Sequence, residues 1–162
     1  MSKRPNSPPS NSIPSGAIPS GADARTFTTP EQFNELGRGF LPGHTGVEIT
    51  EVSRDAFKGR MAVREAAMAP NGFLHAASII SLADTLAGYA TIASLPDGAE
   101  MFTTIELKAN FMSTLRDGAI AAIAVPVHRG RTTQVWDVEV TDEASGRRLA
   151  LFRCTQAVLW PK

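Results

Sequence analysis

The chain is poor in cysteine, histidine and tyrosine: one Cys, three His and one Tyr among 162 residues. The lone Cys154 has no internal partner for a disulfide, and one Cys with three His argues against a structural zinc site. No sign of charge dominates, because 16 Lys and Arg face 16 Asp and Glu. Nucleic-acid binders normally carry a basic surplus, and so do polybasic membrane binders, so neither partner is expected. No apolar run approaches the roughly 20 residues of a membrane helix. No apolar segment follows Lys3 and Arg4 as a secretory signal would require, so the expected compartment is the reducing cytoplasm. Gly-rich phosphate loops, a G-x-S-x-G elbow and metal-ligand clusters are missing too. What remains is an ordinary globular composition, 43% hydrophobic and 20% charged, at a length that suits one domain.

Residues 1–24 hold five Pro, six Ser and two Gly, a composition with little to bury, and are read as a disordered tail. Residues 25–162 are read as a single domain. A short helix is expected over Pro30 to Leu36, with Thr29 as cap and Pro30 at the first position. Strands follow over Val47 to Arg54 and Gly59 to Ala67. Ala69-Pro70-Asn71-Gly72 is a turn. Ile79, Leu82, Ala83, Leu86, Ala87 and Ala90 then recur at helical spacing, which predicts one long helix from about His75 to Leu95. Four more strands are expected. Phe102 to Phe111 alternates, with Ile105, Leu107, Ala109 and Phe111 on one side and Thr104, Glu106, Lys108 and Asn110 on the other. Ala119 to Val127 is almost wholly apolar, as a strand buried on both faces would be, and Pro126 implies a bulge. Thr132 to Thr141 and Arg148 to Leu159 complete the set. The order β-β-α-β-β-β-β predicts an α+β domain in which a sheet wraps a central apolar helix.

Few polar residues interrupt this pattern. Asp84 sits mid-helix among apolar neighbours. A carboxylate there is costly unless paired or functional, and its desolvation would suit a general base near neutral pH. A solvated stripe or a loop cap is the structural alternative. His75 stands at the helix start, where it either caps the helix or serves the chemistry. The free N–H groups of Ala76 and Ala77 can polarise a carbonyl at the positive end of the helix dipole. Asp84 follows His75 by nine residues, which is about 13 Å along the axis and half a turn around it. One substrate carbon cannot meet both in one chain, so a site using both requires a dimer. Thr104, Asn71 and the hairpin arginines Arg129 and Arg131 are further polar candidates. Packing, turn formation and solvation are their ordinary roles.

These residues carry a resemblance. Asn71-Gly72-Phe73-Leu74-His75-Ala76-Ala77 with Leu82-Ala83-Asp84-Thr85 resembles the central helix of hotdog-fold acyl-CoA thioesterases, of the phenylacetate-pathway and 4-hydroxybenzoyl-CoA kind. Thr104 to Phe111 resembles the family's third strand, and Gly130-Arg131-Thr132-Thr133-Gln134-Val135-Trp136 its G-R-x-x-x-V-W segment. The resemblance implies a hotdog fold, a long helix wrapped by a six-stranded antiparallel sheet. It implies homodimers that pair into dimers of dimers, and an acyl-CoA substrate with no cofactor beyond the coenzyme A that the substrate carries. It further implies Asp84 as general base or nucleophile, and the Ala76 N–H as the carbonyl's donor with His75 beside it. Thr104 and Asn71 then hold water. Gly72, Phe73, Tyr89 and Phe111 line the substrate, with Met112 near the acyl group and Arg129 and Arg131 near the nucleotide. Two departures stand out. Ala76 and Ala77 replace paired glycines, and Ala69 stands where the family often has an amide. Two rivals share the fold, a non-catalytic acyl-CoA sensor and an enoyl-thioester hydratase or dehydratase.

Overall fold

A computed structural model describes residues 26–162; the expected tail and Arg25 lie outside them. The first helix, α1 (Pro30–Gly37), begins as its sequence demands. Thr29 Oγ1 accepts the Gln32 N–H, and Gln32 Oε1 accepts the Thr29 N–H at 3.1 Å, a reciprocal capping box. Its buried Phe33 meets Phe57 edge-on at 5.3 Å and stacks on Tyr89 at 5.1 Å. A one-turn helix, α2 (Leu41–Thr45), follows unforeseen, with Pro42 in its first turn.

Six strands come next in the chain, interrupted by the long helix: β1 (Val47–Val52), β2 (Phe57–Ala62), α3 (Ala76–Ala93), β3 (Met101–Phe111), β4 (Ala119–Arg129), β5 (Thr133–Asp142) and β6 (Arg148–Leu159). They form one antiparallel sheet in the order β1-β2-β4-β5-β6-β3. Helix α3 lies on its inner face. Ile79, Leu82, Leu86 and Ile92 of the helix meet Ile120, Ala124, Trp136, Val138 and Phe152 of the sheet in one core. By length and composition α3 is apolar enough to cross a membrane; here the sheet accounts for that apolarity, burying half of it. Gln134 closes its end, donating from Nε2 to the Ser94 carbonyl at 2.9 Å, while Trp136 Nε1 donates to Gln134 Oε1.

Three expectations change. The second strand ends at Ala62, not Ala67. Residues 63–67 leave the sheet, and Glu65–Ala67 form a 3-10 turn. The reason is local: the Ala67 carbonyl accepts both the His75 N–H at 3.0 Å and the Ser78 hydroxyl at 2.8 Å, so this segment clamps the start of α3. Strand β4 is buried on one face only. Ile120, Ala122 and Ala124 are buried, whereas Ala121 and Ile123 are half-exposed, because a single helix covers a single face. The bulge expected at Pro126 is present between Pro126 and His128.

The third change affects the site. The register of β3 against β6 slips between Thr104 and Glu106. Simple alternation would place Thr104 with Glu106 and Lys108. The bulge instead sets Thr104 opposite Gln156, and Leu107 opposite Cys154, both buried on the helix side of β6. Directly opposed residues share a face, so Thr104 joins the inner face.

Candidate active site

The start of α3 is built by its approach loop. Met68 bridges to Leu74, and the Gly72 N–H donates to the Ala69 carbonyl at 2.9 Å across the turn. Gly72 has φ +78°, which a side chain would strain. Leu74 is tied to the Leu115 carbonyl at 2.8 Å. His75 is the N-cap: its Nδ1 accepts the Ala77 N–H at 2.9 Å. That bond puts the neutral ring's proton on Nε2. The Ala76 N–H has no hydrogen-bond partner among the described residues, and Ala76 is exposed. It is an open donor at the positive end of an 18-residue helix.

Asp84 is half-buried, and its Oδ1 is buried with no hydrogen-bond partner. Burial holds its carboxyl above the ordinary aspartate range. Its surroundings follow from one close contact. A Cβ on Gly88 would lie 3.2 Å from Cζ of Phe102 on β3. One helical turn back from Gly88 is Asp84, a step of about 6 Å; two residues on from Phe102 is Thr104, a step of about 6.6 Å. Because β3 runs opposite to α3, these similar steps lead from that contact toward the same end of the helix. Gln156, paired with Thr104, keeps its Oε1 unpartnered, and its Nε2 donates to Cys154 Sγ at 3.4 Å. The Cys154 thiol, buried and also near the Asp84 charge, is pushed up to about 12. Gln156 and Cys154 are buried on the inner face of β6, and Thr104, itself exposed, is paired with Gln156. Gln156 was not among the expected site residues. Its signal was a glutamine in the inward register of Phe152, Cys154 and Val158, otherwise an apolar series.

Other expected residues scatter. Asn71 Oδ1 accepts the Phe73 N–H at 3.2 Å, a turn-forming bond that occupies it in the approach loop. Tyr89 stacks on Phe33 beside α1, away from the Asp84 stripe, and burial lifts its phenol to about 12. It packs against the core of this chain. Phe73 carries Arg116 on its ring at 4.0 Å. Phe111 and Met112 are exposed, 44% and 53%, toward the N-terminal end of α3. Arg129 Nη1 donates to the Arg54 carbonyl at 2.6 Å, and Arg131 stacks on Trp160 at 4.3 Å. A groove of about 720 Å³ beside Arg129 and Leu95 lies at the far end of α3, about 27 Å from Ala76 of the same chain. Both arginines therefore lie away from this chain's own open N–H. Among the described residues no cluster of three His, Cys, Asp or Glu could hold a metal.

Residues 71–148, which contain the His75–Asp84 helix and Thr104, match the family model described as the thioesterase superfamily. The proofreading thioesterase EntH of Cronobacter turicensis is 31% identical over 131 residues, covering 81% of this chain and 94% of that protein. The chain belongs to the thioesterase superfamily. A second relative, the 1,4-dihydroxy-2-naphthoyl-CoA hydrolase of Listeria monocytogenes, is 33% identical over 114 residues, 70% of this chain and 90% of that protein. In structure, a mutant thioesterase from Pseudomonas aeruginosa superposes with TM-score 0.78 at 27% identity, covering 82% of this chain and 95% of the other. The wrapped helix is the hotdog fold of this superfamily, and thioester hydrolysis is its enzymatic class.

Proposed function

We propose that the chain is an acyl-CoA thioesterase that hydrolyses small-to-medium acyl or aryl thioesters in the cytoplasm, at a site assembled between two copies. The observation that carries this reading is the pair of unspent groups on α3. The Ala76 N–H is open at one end, and the Asp84 carboxyl, short of one hydrogen bond, lies about 12 Å along the helix. A second copy is needed to bring one of each to one carbonyl. The edge strand β3 supplies a surface for it, since Ile105, Leu107, Phe111 and Met112 stand exposed beside an unpaired backbone edge. The relative that acts on an aryl-CoA supports the substrate class.

In the proposed mechanism the thioester carbonyl oxygen accepts the Ala76 N–H, and His75 flanks it. Asp84 of the other copy either takes a proton from water as that water attacks the carbon, or attacks the carbon itself. Thr104, on the Asp84 side, orients the water or substrate. When water attacks, the C–S bond breaks as the acid forms, and CoA leaves as thiolate or, after taking the proton from Asp84, as thiol; when Asp84 attacks, the same cleavage leaves an acyl–Asp84 anhydride, which water then hydrolyses to the acid and free Asp84. No cofactor takes a step in this scheme; CoA enters as part of the substrate.

The test is release of CoA thiol from a panel of short, medium and aryl acyl-CoAs, with wild type beside Asp84→Ala. Turnover that vanishes in the variant is expected. A folded protein that binds these thioesters and releases no thiol would instead be an acyl-CoA sensor. In that case the methyl groups of Ala76 and Ala77 where the family has glycines become the first suspects. Hydration of crotonyl-CoA without thiol release would point to the hydratase reading.

A further inference from the structure

Among the described residues only two buried side-chain polar atoms lack a hydrogen-bond partner: Asp84 Oδ1 on α3 and Gln156 Oε1 on β6. The contrast with Gln134 is direct. Gln134 and Gln156 stand opposite one another on β5 and β6, and both are fully buried. Gln134 uses both ends of its amide, Nε2 on the Ser94 carbonyl and Oε1 on the Trp136 N–H. Gln156 donates only to the Cys154 sulfur at 3.4 Å, a weak acceptor, and its oxygen receives nothing. An apolar residue of the same length would fill this place without stranding an acceptor.

The two stranded oxygens belong to one level of the fold. Phe102, whose ring meets α3 at Gly88, stands opposite Val158 of β6. From that level Asp84 is one helical turn back along α3, about 6 Å, and Gln156 is two residues back along β6, about 6.6 Å. Strand β6 is antiparallel to β3 and therefore runs with α3, so both steps lead toward the start of the helix. Cys154 agrees with this placement: burial and, after it, the Asp84 charge push up the thiol that Gln156 touches.

Both oxygens are acceptors, so neither can satisfy the other. A water has two protons to give and can donate one to each. Asp84 Oδ2 also has no partner among the described residues, and it is not one of the buried atoms, so it faces the open side of the half-buried side chain.

We propose that Gln156 is a positioning residue for Asp84: one buried water donates to Gln156 Oε1 and to Asp84 Oδ1, fixes the plane of the carboxylate and leaves Oδ2 for the thioester. This water stays in place and is not the one that attacks. The inference rests on the thioesterase reading and adds a residue to its site.

Gln156→Met keeps the length of the side chain and removes the amide. With the best thioester substrate it should lower kcat and kcat/KM together by about tenfold and leave KM within about twofold, as expected for a loss felt in the transition state. Its melting temperature should fall where Asp84 is present, and should not fall in the Asp84→Ala background, because methionine strands a carboxyl oxygen only where there is one. A crystal structure of the wild-type protein should show one water about 2.5–3.0 Å from both oxygens. Unchanged kcat in Gln156→Met, equal melting shifts in the two backgrounds, or the absence of a water touching both oxygens would overturn the proposal. If wild type turns over no thioester, that counts against the thioesterase reading, while the melting comparison and the crystal structure still decide whether Gln156 holds Asp84.

Discussion

His75 caps α3 with its own ring: Nδ1 accepts the Ala77 N–H at 2.9 Å. The consequence falls one residue earlier, at Ala76. With the Ala77 donor satisfied by the histidine, the Ala76 N–H is the one left open beside it. The cap thus selects which donor is free at the start of α3.

Ala76→Pro deletes that donor with little disturbance. Proline suits the first helical position, and His75, at φ −69° and ψ 139°, already has the extended backbone that a following proline requires. The expected result is a folded protein, by circular dichroism and thermal melting, with kcat lowered on the order of 10²–10³-fold. Wild-type turnover in a folded Ala76→Pro protein would remove the N–H from the mechanism.

Substituting His75 separates cap from chemistry. His75→Ala should cost about 1 kcal/mol in denaturant unfolding through the lost cap, and His75→Asn should restore most of it. If the asparagine variant regains stability and not activity, the imidazole also touches the substrate.

Asp84 has a pH signature of known sign. Its folded-state pKa is raised by burial, so its ionised form costs stability, and that cost grows as pH rises through the folded pKa. Asp84→Asn should therefore melt higher than wild type at pH 7.5. The gap should close as pH falls below about 4, where the aspartate becomes protonated in both states. For turnover, the acid limb of kcat/KM should lie above the ordinary aspartate range, because the base is the ionised form. A wild type that melts above Asp84→Asn at neutral pH would contradict this account.

The edge strand tests the shared site. Ile105→Lys with Leu107→Glu places charges on β3 residues that are 59% and 40% exposed in one copy. Light scattering should report monomers, and thiol release should fall to background even though Asp84 and Ala76 are untouched. Active monomers would place the whole site in one chain.

Tyr89→Phe removes a phenol buried against Phe33. With Tyr89 in the core, acyl preference across the thioester panel should not change, and stability should shift by less than about 1.5 kcal/mol. A changed acyl preference would return Tyr89 to the substrate pocket.

The apolar spacing of Ile79, Leu82, Leu86 and Ala90, the cap at Thr29 and the turn at Pro70 to Gly72 are local patterns. They determined the long enclosed helix, its approach loop and the order of elements along the chain, because periodicity and turn chemistry act within a few residues. The polar break at Asp84 and the open N–H at Ala76 were legible for the same reason. The face of Thr104 was not: a one-residue bulge against β6 reverses it, and that register depends on a strand some fifty residues further along the chain. Only the folded sheet could seat Gln156 opposite Thr104, send Tyr89 toward Phe33, stop β2 at Ala62 so that Ala67 can clamp α3, and lay Arg116 on Phe73. Each depends on contacts between segments distant in sequence, which periodicity does not encode.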